Sequence, residues 1–121
     1  MHTTHSYQMT AEMQQCIENC TTCHQICLAT VPHCLSMGGA HAAPDHIRLL
    51  LDCAQICQTS ADFMIRGSVF HGQTCGVCAE ICERCAEDCE RLAGNDAQMR
   101  ECASVCRRCA ESCRQMAHMA A

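Results

Sequence analysis

Apolar and polar positions recur along this chain with a period of about three and a half residues. In "CIENCTTCHQIC" (16–27) the marks fall at 16, 20, 23 and 27. The same 4-3-4 spacing returns in "CAEICERCAEDC" (78–89) and "CASVCRRCAESC" (102–113). A helix turns about 100° per residue, so four such positions lie at about 0, 40, −20 and 20°, within an arc of roughly 60°. Each ladder therefore marks one helix face. Strand signals are missing, since alternation is absent and β-branched residues are few.

Turn residues divide the pattern into four segments. "MGGAHAAPD" (37–45) supplies two glycines and then Pro44, suited to a first helical turn. "RGSVFHGQT" (66–74) supplies Gly67 and Gly72, and "LAGNDAQ" (92–98) supplies Gly94 as a stop with Asn95 or Asp96 as an N-cap. The segments predict helices near 9–37, 45–66, 73–92 and 96–118. Short connections make neighbours antiparallel, so the expected fold is all-α: an up-down-up-down four-helix bundle, one domain over residues 1–121. Pro32 falls inside the first helix and is expected to kink or end it.

On a bundle, these stripes are core seams, with cysteine where leucine normally sits. The first helix carries Cys16, Cys20, Cys23 and Cys27, extended by Cys34. The third carries Cys78, Cys82, Cys85 and Cys89, preceded by Cys75, and the fourth Cys102, Cys106, Cys109 and Cys113. The second keeps the register in degenerate form: from Cys53 the same offsets reach Cys57, Ser60 and Met64. Four such stripes facing one another make a tube lined with sulfur. The second helix also has an apolar flank (Ile47, Leu51, Ala54, Ile65) that a lone subunit would leave wet, which calls for an oligomer.

Composition sharpens this picture. The chain has 16 cysteines, two Phe, one Tyr and no Trp, so cysteine fills much of a thin core. The net charge is −5, with eight arginines and no lysine, and no basic stripe invites nucleic acid. The charge run "CERCAEDCER" (82–91) reads as a solvated helix face. No stretch approaches a membrane span. The opening residues lack an apolar leader core, a cleavage site and a twin-arginine pair. The expected setting is the cytoplasm, where cysteine-rich patterns favour metal chemistry over disulfides.

Neighbours at i,i+3 and i,i+4 have Cβ atoms about 5–6 Å apart, too far for a disulfide within one ladder. A metal spans such gaps. Thiolates select Cu(I), zinc or iron–sulfur clusters. Cu(I) replacing a thiol proton leaves the charge unchanged, so about one ion per sulfur keeps the core neutral. Four zinc ions on four thiolates each would bury a charge of about −8, with no core cation to offset it. Zinc pairs also usually come from turns, and iron–sulfur clusters do not need continuous stripes. "CTTCH" (20–24) matches the haem-attachment pattern, but CxxC recurs in the other ladders without a histidine and is a by-product of the spacing. Two other readings stay open: a general soft-metal (zinc) buffer, and a thiol redox protein. The latter needs an accessible cysteine of low pKa, and these stripes point to buried thiols. No nucleophile–base pair or carboxylate dyad marks an enzyme.

With three CxxxCxxCxxxC ladders on four helices, the chain resembles the bacterial copper storage proteins of the cytosolic branch, over about residues 9 to 118. That resemblance implies a four-helix bundle holding many Cu(I) ions through thiolates, a homotetramer, and a role in keeping copper safe. The partners it implies are copper ions and a copper chaperone or an efflux pump. Ser60, Met64 and Pro32 depart from the pattern and bear on the number of ions.

Antiparallel order gathers Met9, Met13, Met64 and Met116 at one end, with His71 just before the third helix. Thioethers bind Cu(I) weakly and without proton release, so this end is the expected entry. The opposite end holds Met37, His46 and Met99, with Leu49 and Leu50 as a plug. His24 reads as an ordinary helix-flank residue, and His2, His5, His33, His41 and His118 as surface residues.

Overall fold

The computed structural model describes residues 9–120. Four helices follow the breaks read above: α1 (Ala11–Met37), α2 (Pro44–Ile65), α3 (His71–Ala93) and α4 (Ala97–Ala120), with a 3₁₀ turn at Gly39–Ala42. α1 packs against α2 and α4, and α3 packs against the same two, closing a ring.

Local chemistry sets the helix ends. Thr10 caps α1, its hydroxyl accepting the Met13 N–H at 3.1 Å. Asp96 caps α4 in the same way through Met99 N–H at 3.2 Å. Pro44 is the first residue of α2, where its missing N–H costs nothing. Gly38 and Gly94 stop α1 and α3 with φ of 72° and 55°, a region that favours glycine. α3 begins two residues earlier than the spacing predicted. Gly72 therefore lies inside its first turn, and His71 is its first residue rather than a residue before it.

Pro32 does not end α1, which runs on to Met37. Its ring removes the hydrogen bond to the Leu28 carbonyl, but both residues lie on the exposed face, where water can take that carbonyl.

All 16 cysteines are buried and free. Small residues fill the buried layer around them, Ala79, Ala86 and Ala93 on α3 and Ala103 and Ala110 on α4, two helices that pack against each other. Outside, Arg107 meets Glu90 and Arg114 meets Glu83 across α3 and α4, so part of the charge run pairs between helices rather than standing alone in water. The apolar flank of α2 is only partly wet. Leu51 and Ile65 are exposed, but Ala54 is buried because α1 covers it, and its carbonyl is bonded to His24 Nδ1 at 2.8 Å. No helix among the described residues is long and apolar enough to cross a membrane.

Candidate metal centre

The heptad-like spacing turns each cysteine stripe toward the bundle axis, and the ring of helices brings the stripes together. Sulfurs meet within 4 Å across three of the four neighbouring helix pairings, and those of α3 and α4 come within 4.8 Å. Cys20 and Cys113 lie 3.4 Å apart between α1 and α4, and Cys23 and Cys53 3.8 Å apart between α1 and α2. Cys57 and Cys82 are 3.5 Å apart between α2 and α3. Cys57 reaches Cys109 across the bundle at 3.7 Å, and Cys27 lies 3.6 Å from Cys106. Two metal–sulfur bonds of about 2.3 Å would set their sulfurs about 3.8 Å apart at a tetrahedral angle and about 4.0 Å at a trigonal one. The free thiols already stand at that separation.

Four sets of four thiols have sulfurs within 4.8 Å of one another: Cys20/Cys78/Cys109/Cys113, Cys57/Cys78/Cys82/Cys109, Cys23/Cys53/Cys57/Cys82 and Cys23/Cys27/Cys53/Cys106. A fifth set of three, Cys16/Cys75/Cys113, lies toward the start of α1. The sets overlap. Because Cys23, Cys53, Cys57, Cys78, Cys82 and Cys109 each serve two of the four-thiol sets, at most two such sets can be chosen without sharing a cysteine. Separate tetrathiolate ions would thus use about half of the sulfurs. Ions that share thiolates can use them all.

The electrostatics agree. Every arginine is exposed, so the core has no cation to offset a charged cluster. Burial pushes the Cys34 thiol up to about 11, with the Asp96 carboxylate adding to the rise. Cys57 and Cys113 are also raised, first by hydrogen bonding to Cys109, which favours the protonated thiol, and then by burial. Neighbouring thiols that donate to Cys16, Cys23, Cys53, Cys78 and Cys102 pull those groups down instead, and a soft monovalent ion that binds a protonated thiol displaces one proton for each ion in.

Beyond the sulfurs, the register continues into other donors. On α2 it passes through Ser60 to Met64, both fully buried, with the Ser60 hydroxyl donating to the Thr74 carbonyl at 3.1 Å. Met116 is buried at the end of α4, while Met9 and Met13 pack half-buried against the core. His71 is half-buried, with Nδ1 2.9 Å from the Ser68 carbonyl. Its Nδ1 is the donor, which leaves Nε2 with a free lone pair.

The opposite end holds a group that the sequence reading set aside. Cys34 Sγ lies 3.5 Å from His46 Nε2 and 3.3 Å from Met99 Sδ, and all three residues are buried. His46 Nδ1 donates to Asp88 Oδ2 at 2.7 Å, which turns Nε2 toward the thiol. Burial raises the Asp88 carboxyl, but hydrogen bonds from Arg91 and His46 outweigh it and hold the group below the usual carboxylate range. Leu50 is fully buried beside this end, as a plug would be, whereas Met37 is exposed. Two histidines read as surface residues are half-buried here: His33 bonds Asp96 at 2.7 Å, and His41 lies near the same carboxylate. His118 is exposed, and His2 and His5 lie outside the described residues.

A family model described as "Copper storage protein" matches residues 9–118. Among solved structures, the Nmul_A1745 protein of Nitrosospira multiformis is 50% identical, with a TM-score of 0.84 over 89% of this chain and 96% of that one. The Cu(I)-bound copper storage protein BsCsp3 is 35% identical, with a TM-score of 0.80 over 88% and 98%. A cytosolic copper storage protein from Streptomyces lividans, with five coppers, is 32% identical, with a TM-score of 0.82 over 88% and 92%. The cysteine-rich protein YhjQ of Bacillus subtilis is 36% identical over 68 residues, a match spanning 56% of this chain and 63% of that relative.

Proposed function

The chain belongs to the copper storage protein family, and from that premise we propose that it stores Cu(I), many ions per chain, on the thiolates inside the bundle. It performs no catalysis in this role. The carrying observation is the overlap of the four-thiol sets. A core of shared sulfurs suits a monovalent, soft ion that accepts two or three thiolates and lets them bridge. It suits zinc poorly, because each four-thiolate site would bury about two negative charges and lock its ligands.

All 16 cysteines act as ligands in this proposal. Entry is at the end where Met9, Met13, Met64, Met116 and His71 gather. The grading of burial supports that route, from half-buried Met9, Met13 and His71 to buried Met64 and Met116. Thioethers would pass the ion inward without holding it as tightly as thiolates. The setting is the cytoplasm, in keeping with the naming of the Streptomyces relative as cytosolic. The assembly is a homotetramer, for which the exposed Leu28, Leu35, Leu51 and Ile65 supply apolar surface. A copper chaperone or an efflux pump would exchange ions with it.

Stopped-flow uptake of Cu(I) by the reduced protein tests the route, and light scattering tests the assembly. Uptake unaffected by changes at the methionine end would contradict the first, and a monomer at working concentration the second.

A further inference from the structure

Outside the sulfur tube, three further donors converge where α1 ends, the 3₁₀ turn passes and α4 begins. The two oxygens of Asp96 have different roles. Oδ1 accepts the Met99 N–H and caps α4. Oδ2 faces two imidazoles, His33 Nε2 at 2.7 Å and His41 Nε2 at 3.8 Å. The Asp96 side chain is only 8% exposed, against 33% for His33 and 20% for His41. His41 Nε2 is itself buried and has no hydrogen-bond partner. The gap to Asp96 is too long for a hydrogen bond. A buried ring nitrogen facing a carboxylate without a hydrogen bond of its own calls for a partner.

We propose that His33, His41 and Asp96 bind one divalent transition-metal ion of the zinc class, separate from the copper core. Two imidazoles and a carboxylate are borderline donors, better matched to Zn²⁺ than to Cu(I). The two distances to Asp96 bracket what such an ion needs. Bonds of about 2.1 Å at a tetrahedral angle put ligand atoms about 3.4 Å apart. The His41–Asp96 gap would close by about 0.4 Å and the His33–Asp96 contact open by about 0.7 Å, within reach of two partly exposed side chains, with water as the fourth ligand. The ion would tie the end of α1, the connection to α2 and the start of α4 into one unit, beside the Cys34–His46–Met99 group.

Co²⁺ tests this, because thiolate-bound cobalt shows strong sulfur-to-metal charge transfer and cobalt on nitrogen and oxygen shows only weak d–d bands. The full chain is titrated both as reduced apoprotein and after loading with Cu(I). In the Cu(I)-loaded form, whose thiols are occupied, the expected result is one Co²⁺ per chain bound without sulfur charge transfer, whereas the apoprotein's free thiols add charge-transfer bands of their own to the same weak d–d signal. His41→Gln should weaken that binding by about 100-fold or more, since loss of even an outer-sphere partner costs up to that much. Its Cu(I) capacity should stay unchanged. In the wild-type protein, Zn²⁺ should shift the Nε2 resonances of His33 and His41 together. No sulfur-free cobalt signal, equal affinity in His41→Gln, or unmoved resonances would overturn the site. The spectral distinction keeps this result separate from the copper reading, which stands or falls on the thiols.

Discussion

The two ends of the sulfur tube end in different chemistry. Where α1 and α3 begin, the last thiols (Cys16, Cys75, Cys113) give way to thioethers and one half-buried histidine. Where α1 and α3 stop, the last thiol of α1 meets a buried imidazole and a buried thioether, and a carboxylate fixes the imidazole from behind. One end offers weakly binding donors that ask for no counter-charge. The other offers a hydrogen-bonded group, with buried Leu50 one turn along α2 from His46. A bundle of near-repeats thus gains a direction, because the register keeps thiols along its length and changes the donor only at its ends.

The largest predicted effect separates the crowded middle from either end. Cys57 and Cys109 together belong to three of the four-thiol sets. Replacing both with Ala should lower Cu(I) capacity by more than the two ions lost at about one per sulfur, because shared clusters fail together. Cys34→Ala, outside those sets, should lose about one ion by the same count. Equal losses per thiol in the two variants, read by chelator competition, would remove the distinction.

Next comes the contrast in rate. Changing Met9, Met13, Met64 and Met116 to Leu should slow uptake several-fold and leave capacity nearly intact. Uptake as fast as that of the wild type would reassign the entry.

A smaller gain should follow Ser60→Cys, which completes the ladder of α2. It should add about one Cu(I) per chain by the one-per-sulfur count, at the loss of the hydroxyl bond to Thr74. Elemental analysis of the loaded variant reads this directly.

The smallest effect concerns the closed end. Asp88→Asn removes a charged partner from a buried histidine and should cost the apoprotein about 1.5–3 kcal/mol, the range for a hydrogen bond to a charged group. The same contact gives a pH signature. The Asp88 carboxyl is held below its ordinary 3.8, so its contribution is full above about pH 4 and fades as the pH falls through the lower folded value. Thermal melts across that acid range should show the wild type losing its advantage over the variant.

The fold was largely legible because one device, the 4-3-4 register, repeats on every helix with unambiguous residues. Caps and glycines then set the ends within about two residues. The sequence reading put His46 and Met99 at the end opposite the entry without joining them to Cys34, because the ladder was counted only from Cys53 and Cys102. Continued backward by the same steps, it runs through Leu50 to His46 and from Cys102 to Met99. Of the two outcomes expected at Pro32, the end of the helix did not follow, because a proline rule counts the lost hydrogen bond without knowing whether water can reach the carbonyl. Ala54 misled because angles on one helix do not reveal which neighbour covers a flank. The meeting of His33, His41 and Asp96 carried no local signal, since it joins a helix end, a turn and a cap that are distant in sequence.

The most direct test is an anaerobic titration of the fully reduced protein with Cu(I) against a competing chelator, with zinc run in parallel. The account predicts tight uptake approaching one Cu(I) for each of the 16 cysteines, with zinc saturating far earlier. Saturation at a handful of Cu(I) ions, with zinc bound as well or better, would contradict it and leave a protein of discrete metal sites.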